Sequence, residues 1–121
     1  MSGSLEPQIP PRIPKDLRTA WLLLLLRAAP SYGYVLRRAL HERGIEIEPG
    51  SLYRSLRELE RDAFITSRWV EPAAGPRARV YTLTPAGEHG LEVLATAIEL
   101  GRDAQGRFLV AYGRPPGDAY S

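Results

Sequence analysis

The segment that decides the fold is PGSLYRSLRELERD, which runs from Pro49 to Asp62. Its leucines, Leu52, Leu56 and Leu59, recur at helical spacing and would share one face of a helix. Proline suits the first position of a helix, where its missing N–H would have no partner. The sequence therefore predicts a helix over residues 49–62 that buries these leucines. The opposite face carries Gly50, Arg54, Arg57 and Arg61.

Two helices are expected before this segment. The first spans 15–29 and ends before Pro30, which cannot continue a helix. It is apolar on nearly all sides, so we expect it to be buried on more than one side, with the second side against another subunit. The second helix spans 32–43, with Ser31 as its N-cap and Gly44 as its stop.

Two strands are expected after the segment. Residues 64–71 and 79–83 are rich in β-branched and aromatic side chains, which favour strands. The connection between them, 72–78, is rich in proline and glycine and carries Arg77. Since side chains two residues apart in a strand share a face, we expect Arg77 and Arg79 to point the same way.

A long last helix is expected from Thr84 and Pro85, a cap and first-turn pair, to about Tyr112. Its apolar stripe is interrupted around Gly101 and Gly106. The interruption indicates either a dimer seam whose gap holds a small-molecule effector, or a helix frayed or bent at these glycines, which we favour. The expected dimer interface combines the first and last helices in Trp21, Leu22, Leu25, Leu91, Leu94, Ile98, Phe108 and Leu109.

This order of elements indicates a mostly α chain with a small β-hairpin, in the α+β class. Two helices at a short turn, the second basic in its first turns, are typical of a helix-turn-helix that enters a major groove. The expected fold is a winged helix-turn-helix (15–84) followed by a C-terminal dimerisation helix (85–112). We expect a flexible N-terminal arm (1–14) and a flexible tail (113–121).

The charge distribution supports this interpretation more than the net charge of +2 does. Eleven basic and seven acidic residues lie in 17–83, whereas 84–121 hold three and five. Fifteen of the sixteen basic residues are arginine, whose planar fork suits phosphates and guanine edges. A GC-rich genome would also favour arginine, so the positions of the arginines decide.

Other classes of protein fit the sequence less well. The chain has no cysteine, which excludes disulfides, thiolate metal sites and cysteine nucleophiles. His41 and His89 are far apart and belong to no metal-binding motif. The apolar run 20–26 is too short to span a bilayer, and the acidic residues that precede it argue against a signal peptide. We therefore expect a cytoplasmic protein that is not an enzyme and has no cofactor, metal or membrane partner.

The chain contains three stretches in a fixed order: SYGYV (31–35), PGSLYRSL (49–56) and GPRARVYTLTPAG (75–87). Together they resemble the signature of the PadR family of bacterial regulators. The resemblance, to a short form with a single C-terminal dimerisation helix, implies a winged-helix dimer that represses nearby genes. Two positions depart from the family pattern: Ala63 replaces the usual glycine after the recognition helix, and Glu48 replaces a small hydroxyl residue that would cap that helix.

The resemblance also implies which residues contact double-stranded DNA. Helix 49–62 would enter the major groove, and the wing, 72–79, would contact the flanking backbone or minor groove. A homodimer would bind a pseudo-palindromic operator with half-sites ~34 Å apart. The expected contacts are Tyr34, Arg37, Gly50, Ser51, Tyr53, Arg54, Arg57, Arg77 and Arg79. The alternative is a protein-interaction module that docks through Tyr53, Trp69 and the arginines.

Overall fold

The computed structural model describes residues 14–115. Of the expected arm and tail, residues 1–13 and 116–121 lie outside the described residues. The fold is mostly helical with a small antiparallel sheet, which confirms the predicted class. Its elements are α1 (Lys15–Ala28), β1 (Ser31–Tyr32), α2 (Gly33–Glu42), α3 (Pro49–Arg61), β2 (Ile65–Val70), β3 (Ala78–Leu83) and α4 (Pro85–Tyr112).

The sheet has a third strand that was not predicted. Ser31 and Tyr32 form β1, which pairs antiparallel with Tyr81 and Val80 of β3 and makes β3 the central strand. The prediction that Ser31 caps α2 is therefore wrong, since α2 begins at Gly33 and has no side-chain cap. Pairing with β3 satisfies the backbone groups of Ser31 and Tyr32, which ties the α1–α2 connection to the sheet.

The β2–β3 hairpin is aligned from Ile65 opposite Leu83 to Val70 opposite Ala78. Strand alternation places Ile65, Ser67 and Trp69 on one face of it. The first of these is buried, the second half-buried and the third exposed. This face of the hairpin is therefore buried in the core near the base of the hairpin and exposed to solvent near its tip.

The core is built from leucines on one face of each of the first three helices. Leu52, Leu56 and Leu59 of α3 are all buried, as predicted. The core also contains Leu22, Leu23, Leu26, Leu36, Leu40, Ile45, Ile47, Ile65, Tyr81 and Leu91. Leu22 is completely buried inside the protomer, because α1 packs against α2, β3 and α4 of its own chain. The prediction that Leu22 contacts a second subunit is therefore wrong.

The turn between α2 and α3 is short and internally bonded. Gly44 ends α2, as predicted, with a left-handed φ of 78°, and the N–H of Ile45 donates to the carbonyl of Leu40. Nε of Arg37 donates to the carbonyl of Ile47 at 2.8 Å. Two residues of the turn, Ile45 and Ile47, are buried in the core, so the turn fixes α3 relative to α2.

Helix α3 ends at Arg61, and Ala63, just after its C-cap, is the position where the resemblance predicted a different exit. Ala63 has a φ of 65°, and the N–H of Phe64 donates to the carbonyl of Leu59, a pairing typical of a glycine-terminated helix. The hydroxyl of Thr84 donates to the carbonyl of Ala63 at 2.7 Å and accepts the N–H of Gly87 at 3.0 Å. The predicted cap of α4 therefore also connects α4 to the end of α3.

Helix α4 is continuous from Pro85 to Tyr112 and ends at Gly113, as predicted. Of the expectation that the helix is frayed or bent at Gly101 and Gly106, the fraying is wrong, since both lie within the helix. Its first half packs on α1. From Leu100 onward, most of its side chains are exposed. None of the helices in residues 14–115 combines the length and apolar character needed to cross a bilayer.

The conformation of Ala63 predicts that Ala63→Gly stabilises the protein. A left-handed backbone costs an L-residue more than it costs glycine, so the free energy of unfolding should rise by about 0.5–1 kcal/mol after the entropy of glycine is counted. Urea unfolding at a single protein concentration measures this difference.

The reciprocal control is Gly44→Ala. Gly44 is also left-handed, and an added Cβ there would meet no atom of residues 14–115 within 4 Å, so the backbone conformation opposes the substitution. It should lower the free energy of unfolding by about 1 kcal/mol. A destabilised Ala63→Gly variant would contradict the account of this helix exit.

Candidate nucleic-acid interface

The outer face of α3 is fixed by the burial of its inner face. Because Leu52, Leu56 and Leu59 point into the core, Arg54 and Arg57 point outward and are exposed. Gly50 in the first turn is exposed as well, and Ser51 is half-buried. Pro49 occupies the first turn, while Glu48 makes no capping bond, as expected from its side chain. The first turns of α3 thus present small and basic residues to solvent.

Helix α2 meets this face of α3 through a close contact between Gly33 and Tyr53. A Cβ at position 33 would lie 2.6 Å from the nearest atom of the Tyr53 ring, so only glycine fits there without moving the ring. On either side of Gly33, the rings of Tyr32 and Tyr34 stack with their centroids 5.5 Å apart. The N-terminus of α2 and the outer face of α3 therefore form one aromatic surface.

The wing carries two arginines on one indole ring. The guanidinium carbons of Arg77 and Arg79 lie 4.8 Å and 5.1 Å from the centroid of the Trp69 ring. Trp69 is directly opposite Arg79 in the hairpin, so the register brings this pair together. The prediction that the two arginines point the same way agrees with this geometry.

A groove of about 370 Å³ separates α3 from the wing. Three of the side chains that line it are arginines, and of the described lining residues none is acidic. The groove therefore concentrates positive charge between aromatic walls. It is lined by Tyr32, Gly33, Tyr34, Tyr53, Arg57, Trp69, Ala78, Arg77, Arg79 and Tyr81.

A polar contact behind the groove connects the β2–β3 hairpin, which carries the wing, to α3. The hydroxyl of Ser67 donates to the Glu60 carboxylate, at 2.8 Å and 3.0 Å from its two oxygens. Burial raises the pKa of the Tyr81 hydroxyl above its ordinary value, and the nearby Arg79 guanidinium opposes the shift. Tyr81 is therefore uncharged at neutral pH and leaves the positive charge of the groove undiminished.

The structure brings together five of the nine predicted DNA contacts in this groove, namely Tyr34, Tyr53, Arg57, Arg77 and Arg79. Gly50, Ser51 and Arg54 belong to the same helix but lie outside the lining. Arg37 lines a separate recess on α2 and uses its Nε for the carbonyl of Ile47.

Five residues that line the groove were not among the predicted contacts, namely Tyr32, Gly33, Trp69, Ala78 and Tyr81. The close approach of Gly33 to Tyr53 is a tertiary contact that sequence spacing does not reveal. Trp69 could have been placed beside Arg79 once the hairpin register was known, because cross-strand neighbours interact directly.

Comparison with known protein families and sequences finds transcriptional regulators in both cases. The model of the transcriptional regulator PadR-like family matches residues 22–93. A transcriptional regulator of Mycobacterium tuberculosis is 36% identical over 76 residues, which cover 62% of this chain and 70% of that protein.

Solved structures give the same result. A PadR family transcriptional regulator from Eggerthella lenta is similar, with a TM-score of 0.66 and 29% identity over 78% of this chain and 86% of that one. The structure of Bacillus subtilis PadR in complex with operator DNA has a TM-score of 0.57 and 26% identity, over 61% of this chain and 44% of that one.

The family match spans more than half of the chain, and it contains the α3 face, the wing and the groove between them. The chain therefore belongs to the PadR-like family of transcriptional regulators.

Proposed function

We propose that this protein is a cytoplasmic transcriptional repressor that binds a pseudo-palindromic operator as a homodimer. Helix α3 enters the major groove, and the wing contacts the flanking backbone or minor groove. The observation that carries the proposal is the basic, aromatic groove between α3 and the wing. The operator complex of Bacillus subtilis PadR supports it, because that protein shares this fold. The chain belongs to a family of regulators, not of enzymes.

Helix α3 has the side chains that a DNA-recognition helix needs. Gly50 and Ser51 are small, so the first turn can approach the base edges closely. Arg54 and Arg57 follow at one-turn spacing, and each can donate two parallel hydrogen bonds to a guanine or a phosphate. The N-terminal end of the helix also attracts phosphate through its free N–H groups.

The wing supplies charge beside the helix. Arg77 and Arg79 lie across the groove from Arg57, so a DNA backbone seated there would meet cations from both sides. Contacts of this kind position a protein on the duplex and make its affinity salt-dependent. Tyr34 and the free nitrogens of Arg37 add further donors on α2.

The homodimer is proposed on the apolar surface that one protomer leaves exposed. Phe108 of α4 is 65% exposed, and its ring stacks on Tyr112 with centroids 5.9 Å apart. Leu91, another predicted interface residue, is only 7% exposed because its own protomer already buries it. The predicted interface residues that keep exposed surface are Trp21, Leu25, Leu94, Ile98, Phe108 and Leu109.

We place effector binding, as part of the same proposal, in a groove of about 600 Å³ between α1 and α4. Trp21, Leu24 and Ile98 provide apolar walls, and Arg27 and Glu88 provide charge at one end. A second copy that packs against α4 would close this groove further. A small, mostly apolar molecule with one polar end fits such a lining.

Two arginine variants test DNA binding by separate mechanisms. Fragments of the source genome are selected for binding to the protein, and a selected duplex is labelled for fluorescence anisotropy. Arg54→Ala should weaken binding to this duplex about ten-fold or more and to a scrambled duplex much less, because it removes a base contact. Arg77→Ala should weaken both alike and reduce the slope of log K against log salt by about one.

The matched control is Arg68→Ala, which removes the same charge from the opposite face of the same hairpin. Its affinity should stay close to that of the wild type. Wild-type affinity in both the Arg54 and Arg77 variants would contradict the proposed interface. A stoichiometric protein partner retained at low salt, with no DNA, would favour a docking module instead.

The assembly is tested by Phe108→Asp. Burying a carboxylate in an apolar interface is costly, so the dimer dissociation constant should rise at least about ten-fold in sedimentation equilibrium. Thr96→Asp introduces the same charge on another side of α4 and should leave the dimer intact. A wild-type protein that is monomeric at micromolar concentration would overturn the homodimer.

A further inference from the structure

The tip of the hairpin contains an arrangement that the proposed DNA contacts do not explain. Trp69 is 52% exposed, an unusual position for so large an apolar ring. Of the four contacts between arginine and an aromatic ring in the described chain, two converge on this indole. Two guanidinium groups therefore lie beside this exposed ring.

Among the described residues, these two arginines have no acidic partner. Within residues 14–115, the ion pairs of arginine join Arg27, Arg61 and Arg102 to carboxylates, and none involves Arg77 or Arg79. Two like charges beside one ring repel each other, and each side chain has many rotamers when free. The attraction of each guanidinium to the negative face of the indole offsets that repulsion and restricts the rotamers.

The kind of partner matters for what the arginines can still bind. A carboxylate would occupy the N–H groups along the edge of a guanidinium, which are the groups that bind phosphate oxygens. An aromatic ring contacts the face of the guanidinium and leaves those N–H groups free. Trp69 can thus order Arg77 and Arg79 without competing with DNA for them.

We propose that Trp69 is a positioning residue of the DNA-binding surface, which holds both wing arginines in the orientation that meets the DNA backbone. This inference rests on the proposed function. Ordering the side chains before binding reduces the entropy lost when DNA arrives. Trp69 acts through the arginines and contributes no base contact of its own.

Anisotropy with a selected duplex tests this role. Trp69→Leu keeps an apolar side chain but removes the aromatic face, and it should weaken binding about five-fold. Trp69→Phe restores an aromatic face and should bind within about two-fold of the wild type. Trp69→Leu that binds as tightly as the wild type, or more tightly, would overturn the proposal.

A double-mutant cycle separates positioning from direct contact. In a chain that carries Arg77→Ala and Arg79→Ala, the further change Trp69→Leu should cause no additional loss, because the groups that it positions are gone. An additional five-fold loss would show that Trp69 touches DNA itself and would overturn the positioning role. Wild-type affinity of the double arginine variant would instead refute the proposed role of the wing, which is a separate failure.

An NMR measurement on the unbound protein covers the case in which Trp69→Leu fails to fold. Protons held over an indole face shift upfield, so the Hδ signals of Arg77 and Arg79 should lie upfield of those of Arg68. Random-coil shifts for both arginines in the wild type would show that the ring does not hold them and would overturn the proposal.

Discussion

The burial of one leucine face of α3 is the constraint on which the rest of the molecule depends. Leu52, Leu56 and Leu59 lie at i, i+4 and i+7, so their burial leaves a single rotation for the helix. That rotation turns Arg54 and Arg57 to solvent. Burying the opposite face instead would place unpaired guanidinium groups in the core, at a large cost in free energy. The segment that builds the core therefore also aims the basic surface.

The wing is coupled to α3 by the same principle. Ile65 anchors the base of the hairpin in the core. One step further out, Tyr81 is buried opposite Ser67, and Ser67 is bonded to Glu60 of α3. Beyond Ser67 the same face of the hairpin emerges into solvent with Trp69. The distance between α3 and the wing arginines is thus set by packed and bonded residues, although the arginines themselves are exposed. The apolar end of α4 is a separate surface, so the proposed assembly and the proposed DNA contacts use different parts of the chain.

Much of this structure could be predicted from local sequence patterns. The leucine spacing of α3, the glycine at Gly44 and the Thr84 cap all specify local structure, and the structure agrees with each.

The errors in the predicted structure arise where long-range contacts decide. Strand β1 exists because β3 offers a free edge, and two residues carry no periodic signal. Leu22 is enclosed by its own chain because α4 returns over α1, which an apolar pattern alone does not distinguish from a partner subunit. The sequence predicted that α3 and the wing carry the arginines of the groove. It did not predict the close approach of Tyr53 to Gly33, which is a tertiary contact.

The central claim is that α3 and the wing form one DNA-binding surface. An NMR titration of the full chain with a selected duplex tests it most directly, with the arginine Nε–H signals as the readout. The signals of Arg54, Arg57, Arg77 and Arg79 should shift together with one dissociation constant, while those of Arg68 and Arg102 stay in place. Shifts confined to either the helix or the wing, or found in Arg102 instead, would contradict the account.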